Sequence, residues 1–184
     1  MTMKPPPFPR TRSIPPDDAR LAAHAIMLRP ATSEDLPLLA RLYASFRNAE
    51  MLFVPWSPSE KQAFLDDQFR LQHSHLVRHF RRADFWIVCD PDSGPLGRFY
   101  LDRSAREWRL VDILLATDAR GRGIGTTLVR WAQAHAADAR ASGIALHVAI
   151  NNPRAHALYA RMGFIEGESR DGLHIPMLWR PREP

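Results

Sequence analysis

Cysteine is almost absent from this 184-residue chain: Cys89 stands alone, so no intrachain disulfide can form, and a reducing, cytoplasmic setting is the simplest expectation. Lysine is nearly as scarce, with Lys4 and Lys61 set against 23 arginines. Arginine keeps its charge at every working pH, which accounts for a pI near 10.1 without a nucleic-acid partner; the arginines are scattered, not gathered into one stripe. No apolar run approaches the roughly 18 residues that would cross a bilayer. The N-terminus carries prolines where a secretory signal would carry an apolar stretch. His73, His75 and His79 include one i,i+4 pair, yet no acid or cysteine stands at ligand spacing, so no metal is expected. Internal repeats are lacking as well.

What is present is an ordinary globular composition, 45% hydrophobic and 24% charged, with a formal charge of +5. The length favours a single domain, placed at residues 21–184. Residues 1–20 hold Pro5, Pro6, Pro7, Pro9, Pro15 and Pro16 and are expected to form a flexible tail or a Pro-rich docking segment. Beyond them a short strand is expected at 25–29. A helix follows with Leu36, Leu39, Leu42, Tyr43 and Phe46 on one face, and a second spans about 59–80 behind a serine cap. The connection at 50–58 is apolar for a loop. Strands are expected at 85–89, 96–101 and 108–116. After the segment considered next, closing strands are expected at 163–168 and 173–179, the last an edge or interrupted strand because of Pro176.

The segment 107–164 carries the chemistry. A strand-like run leads into Arg120-Gly121-Arg122-Gly123-Ile124-Gly125-Thr126 and then a helical pattern about 18 residues long. Glycines let the backbone turn tightly and bring successive N–H groups toward an anion, and the following helix aims its positive dipole end at the same point. The pattern predicts a pyrophosphate site. A P-loop would place lysine after the last glycine, but Thr126 stands there; a Rossmann site would need an acidic ribose partner about 20 residues on. Neither fits.

A short strand at 144–150 comes next, then Asn152-Pro153-Arg154-Ala155 leading through Tyr159 to Gly163-Phe164. Here the chain resembles the Gcn5-related N-acetyltransferases. In that family an Arg/Gln-x-x-Gly-x-Gly/Ala loop binds the pyrophosphate of acetyl-CoA, matched by Arg120, Gly123 and Gly125. An Asn-x-x-Ala-x-x-x-Tyr-x-x-x-Gly-Phe segment supplies further contacts and a catalytic tyrosine, matched by Asn152, Ala155, Tyr159, Gly163 and Phe164. The resemblance is strong over 107–166 and, by order of elements, extends over 26–180. It implies a mixed α/β fold, with a mostly antiparallel sheet of about six to seven strands flanked by about four helices. It further implies acetyl-CoA as acyl donor, a primary amine of a small molecule, peptide or protein as acceptor, and cofactor contacts from Leu114, Leu115, Ala116, Thr117, residues 120–126, Asn152, Ala155 and Tyr159. Pairing of two copies through late strands is common in proteins it resembles and is an open expectation.

Acetyl transfer needs a polarised carbonyl, a base and an acid. By resemblance the first falls to a backbone amide at a strand bulge within 114–117, most directly Leu115. Tyr159 is the candidate acid; the alternative is packing, since Ala155, Leu158, Tyr159 and Met162 also make a helix face. Asp112 is the candidate base. Strand alternation puts it on the face of Leu110 and Leu114, where burial would raise its pKa, although pairing with one of the many arginines would look identical in sequence. Glu107 is a second base candidate, on the opposite face by parity. Cys89 reads as core packing. The acceptor is expected against residues 46–68, where Glu50, Phe53 and Trp56 stand. A different class of function is a catalytically silent acyl-CoA-binding or protein-interaction module of the same fold.

Overall fold

The computed structural model describes residues 5–9 and 18–181. Asp18 caps a one-turn helix, α1 (Ala19–Ala22), that the sequence pattern does not announce, and its carboxylate lies 2.9 Å from His135 of a later helix. Strand β1 (Met27–Pro30) ends at a proline. Thr32 and Asp35 then close a reciprocal cap, and Asp35 also takes two hydrogen bonds from Arg29, at 2.6 and 2.9 Å. This fixes the start of α2 (Leu36–Met51), which buries Leu39, Leu42 and Tyr43. Helix α3 (Pro58–His79) begins the same way, with Ser57 and Glu60 exchanging bonds and Pro58 in the first turn, where no N–H is needed.

Three antiparallel strands follow: β2 (Asp84–Asp90), β3 (Gly94–Asp102) and β4 (Glu107–Leu115). The chain continues through α4 (Ile124–Asp138), β5 (Gly143–Ala149), α5 (Pro153–Arg161), β6 (Ile165–Glu166) and β7 (His174–Trp179). The strands form one seven-stranded sheet in the order β1-β2-β3-β4-β5-β7-β6, antiparallel except at β4–β5. Each sheet face has its own apolar core. One packs Trp86, Phe99, Trp108 and Leu110 against Trp131 and Leu128 of α4. The other packs Phe85, Ile87, Tyr100 and Leu114 against Leu39 of α2 and Phe69 of α3.

β7 is an inner strand, yet it contains Pro176. Its carbonyl accepts from Gly167, so the missing N–H faces the side where two-residue β6 has already ended. The proline thereby ends β6 at Glu166, and with Gly163 in the turn after α5 the strand is shorter than the expected 163–168. Of the expected tail, residues 1–4 and 10–17 lie outside the described residues. Residues 5–9 lie on the core: Phe8 packs edge-on to His73 at 4.8 Å and to Tyr100 at 6.4 Å and tilts against Phe85, while Pro6 O accepts from His73 Nε2 at 2.7 Å. Among the described residues no helix is long and apolar enough to cross a membrane.

Candidate active site

The parallel pairing of β4 with β5 covers only three positions, Glu107–Gly143 to Arg109–Ala145, after which the two strands part. The Ala116 N–H bonds to Leu96 O at 2.8 Å, on the β3 side. Backbone alternation therefore turns the N–H and C=O of Leu115 and Ile113 the other way, into the opening toward β5. Arg120 Nε donates to that Leu115 carbonyl at 2.9 Å and ties the glycine loop to the strand end. The opening is the mouth of a cavity of about 360 Å³.

Its walls hold most of the residues singled out by the sequence: Leu114, Leu115, Arg120, Gly121, Gly123, Ile124, Gly125, Thr126, Asn152, Ala155 and Tyr159. Gly121 and Gly123 have φ of 79° and 81°, a region closed to most side chains. Gly123 is the residue before α4, and no side chain caps that helix, so its first amides face the cavity unpaired. Arg154 and Arg161 of α5 join Arg120 in the wall, and no carboxylate is among the lining residues. Sequence reasoning missed these two arginines, with Ile113, Ala119 and Leu158, and had placed Phe46 with the acceptor only. The signal was available on α5, where 154, 158 and 161 follow helical spacing beside Ala155.

Four expected residues lie outside this wall, the base candidate Asp112 among them. Ala116 and Thr117 line a neighbouring cavity, with Thr117 Oγ1 3.2 Å from Ser45 Oγ. Arg122 leans outward to Asp90 at 3.6 Å. Asn152 has a visible structural duty, since its side chain accepts from Ala155 N at 3.1 Å and caps α5.

The bulge of β4 lies upstream of 114–117. Tyr100 pairs with Asp112 and Leu101 with Leu110, leaving Val111 unmatched. This extra residue breaks the alternation assumed from sequence: Leu110 faces the α4 side, whereas Asp112 shares the other face with Leu114. For the same reason Glu107 lies on Asp112's face rather than opposite it. Asp112 Oδ2 is 2.5 Å from Nε of Arg98, which is 2% exposed and also donates to Gln72 at 2.9 Å. Burial opposes the Arg98 charge, but the Asp112 carboxylate outweighs it and holds the guanidinium above its ordinary pKa. Tyr159 is buried beside Phe164; burial, with the charge of Asp112 adding to it, pushes its hydroxyl well above the usual tyrosine range. Cys89 is buried in β2, and burial raises its thiol as well. Glu50 is paired to Arg47 at 2.6 Å, while Phe53 is 93% exposed at the α2–α3 connection.

Comparison with known proteins gives the class to which this mixed sheet, split between β4 and β5, belongs. The sequence profile of the acetyltransferase (GNAT) family matches residues 43–164, and the chain belongs to that family. The chain is 29% identical over 103 residues to the mycothiol acetyltransferase of Corynebacterium efficiens, spanning 55% of this chain but only 34% of that relative. The PaiA N-acetyltransferase of Thermoplasma acidophilum, solved in complex with coenzyme A, superposes with a TM-score of 0.64 at 19% identity, over 85% of this chain and 99% of the other. The spermidine N-acetyltransferase of Vibrio cholerae, solved with CoA and spermine, gives 0.56 at 22%, over 85% and 95%. At such identities these two likenesses establish the fold.

Proposed function

We propose that the chain uses acetyl-CoA to acetylate a primary amine directly, without an acyl-enzyme. The observation that carries this reading is the cavity at the β4–β5 split, where left-handed glycines, an uncapped helix start and three guanidiniums converge without a carboxylate. Backbone N–H groups and arginines are the donor set for a pyrophosphate, and no side chain at Gly121 or Gly123 blocks its approach. When bound there, acetyl-CoA supplies the activated acetyl thioester.

The residues of the chain divide the remaining work. Arg120, Arg154, Arg161 and the amides of Ile124, Gly125 and Thr126 hold the phosphates. Leu115 N–H, turned into the opening, polarises the carbonyl oxygen as the amine nitrogen attacks, the C–N bond forms and the C–S bond breaks. Asp112, oriented by Arg98, takes the amine proton directly or through water. Tyr159 donates to the departing sulfur. Its raised pKa makes full proton transfer steeper than an ordinary tyrosine–thiol pair would suggest, so its main contribution is a hydrogen bond to the developing thiolate.

Thiol release from acetyl-CoA in the presence of primary amines tests this reading. Amine-dependent release by the wild type, lost when Asp112 or Tyr159 is replaced, supports it. Binding of CoA with no release for any amine favours instead a silent binding module, the reading to which the Arg98–Asp112 ion pair, as a purely structural contact, would belong.

A further inference from the structure

On the face that carries Asp112, helices α2 and α3 cover the sheet only as far as β4. Beyond it, β5 and β7 present Ala145, His147, Pro176 and Leu178, and with Glu107, Arg109 and Arg180 these line a second cavity of about 630 Å³. Trp108 and Leu110 face α4, so Arg109 between them stands on the Asp112 face, at the last paired position before β4 and β5 separate. Arg109 Nη2 lies 2.6 Å from Nδ1 of His147. Burial, together with the charges of Arg109 and His174, lowers the His147 pKa against the opposing pull of Asp171. Because a guanidinium can only donate, Nδ1 accepts from Arg109, and the lowered pKa favours the neutral ring that carries its hydrogen on Nε2.

Among the described residues Arg109 has no carboxylate partner. Asp171 is occupied by the backbone N–H groups of Leu173 and His174 and by the His174 ring, at 2.8 to 3.0 Å. Glu107 makes no ion pair with Arg109 although both line the cavity. A guanidinium held by one hydrogen bond, and the N–H of the exposed imidazole that accepts it, thus stand on the face of Asp112. Asp112 lies three steps along the strand from Arg109, at most about 10 Å at a rise of roughly 3.3 Å per residue.

Resting on the acetyltransferase reading above, we propose that Arg109 and His147 hold an anionic group of the acceptor, a carboxylate or phosphate, while its amine reaches Asp112. The acceptor is then an amine with an anion several bonds away, such as an ω-amino acid, a short peptide or an aminoalkyl phosphate. A polyamine of the kind named for the Vibrio cholerae enzyme would meet the Arg109 cation at this point, although the same cavity is also lined by Glu107 and by Glu166, the latter held by His156 at 2.7 Å.

The test titrates full-length protein saturated with CoA, by calorimetry, with 6-aminohexanoate, glycylglycine, 2-aminoethyl phosphate, hexylamine and spermidine; acetyl-CoA turnover of the same amines is followed in parallel. Anionic amines should bind at least about tenfold more tightly than hexylamine. Arg109→Gln and His147→Ala should shrink that ratio toward one, and Arg109→Lys should keep part of it; the better of the carboxylate and phosphate probes identifies the anion. Equal or tighter binding of hexylamine or spermidine, a ratio untouched in Arg109→Gln, or no binding of any anionic amine overturns the subsite while CoA binding stands. Loss of CoA binding itself, in a folded wild type, removes the acetyltransferase reading as well.

Discussion

In the proposed reaction Tyr159 and Asp112 have opposite duties, and their surroundings differ: Tyr159 is buried, whereas Asp112 is partly exposed beside the Arg98 guanidinium. The Tyr159 hydroxyl, buried and near a negative charge, stays protonated far into alkaline pH. The activity should therefore show no alkaline loss from this group up to about pH 10, and a pH–rate profile falling earlier would remove its role as donor. Tyr159→Phe should lower kcat about 10²-fold while changing acetyl-CoA affinity little. Asp112→Asn should lower kcat by about 10²–10⁴-fold. It also leaves the Arg98 cation buried without its partner, at about 2–4 kcal/mol for a carboxylate that is itself partly exposed. Replacing the pair together, Arg98→Met with Asp112→Leu, should restore the thermal midpoint but not turnover; recovery of both would make the pair structural only. At this scale the glycine loop, Asn152, Ala155 and Tyr159 were legible because they form fixed local patterns. The Arg98–Asp112 contact was not, because it joins residues on neighbouring strands and 23 arginines offered no way to choose.

Among the elements, helix starts were readable from their caps, Thr32 and Ser57, and the strands from their apolar runs. What sequence alternation missed was one inserted residue, Val111, which moved Glu107 and Asp112 to a common face. A bulge has no composition of its own, so period-two reasoning fails there without warning. The proline-rich segment was another difficulty: Phe8 packs among Phe85, Tyr100 and His73 although its neighbours read as unstructured. Phe8→Ala should cost about 1–3 kcal/mol, less than for a fully buried ring, seen as a lowered urea midpoint; an unchanged midpoint would show that residues 5–9 add nothing.

His73 links the same segment to pH. Burial holds its pKa below the ordinary value, with the Pro6 carbonyl pulling upward and the Arg98 charge downward. The folded state thus binds fewer protons than the unfolded chain. Its contribution to stability is complete above about pH 6.5 and is lost as pH falls through the folded pKa. His73→Gln keeps a donor for Pro6 and removes the titration, so its midpoint should decline less between pH 7 and 5; parallel declines would contradict the assignment.

For the whole molecule, the sheet splits between β4 and β5, whose parallel pairing covers three positions, whereas β5 and β7 pair antiparallel over six. The split collects the α4 start, the α5 arginines and the β4 edge around one cavity, and this convergence makes the acetyltransferase reading more than a motif match. A ligand bound there and not by the unfolded chain should raise the melting temperature, by about 5–10 °C at a hundredfold excess over Kd. Composition excluded little at this scale. The order of elements was legible, whereas the depth of the cavity and the bare face of β5 and β7 depend on long-range packing.

The most direct test of the central claim is calorimetric titration of acetyl-CoA into the wild type and into Gly125→Glu, which places a carboxylate at the first turn of α4. That position is ordinary helical backbone, so the variant should melt near the wild type. The account predicts binding with a Kd of about 1–100 μM for the wild type and at least about a hundredfold weaker for the variant. Absence of binding by folded wild type, or equal binding by both proteins, would contradict it.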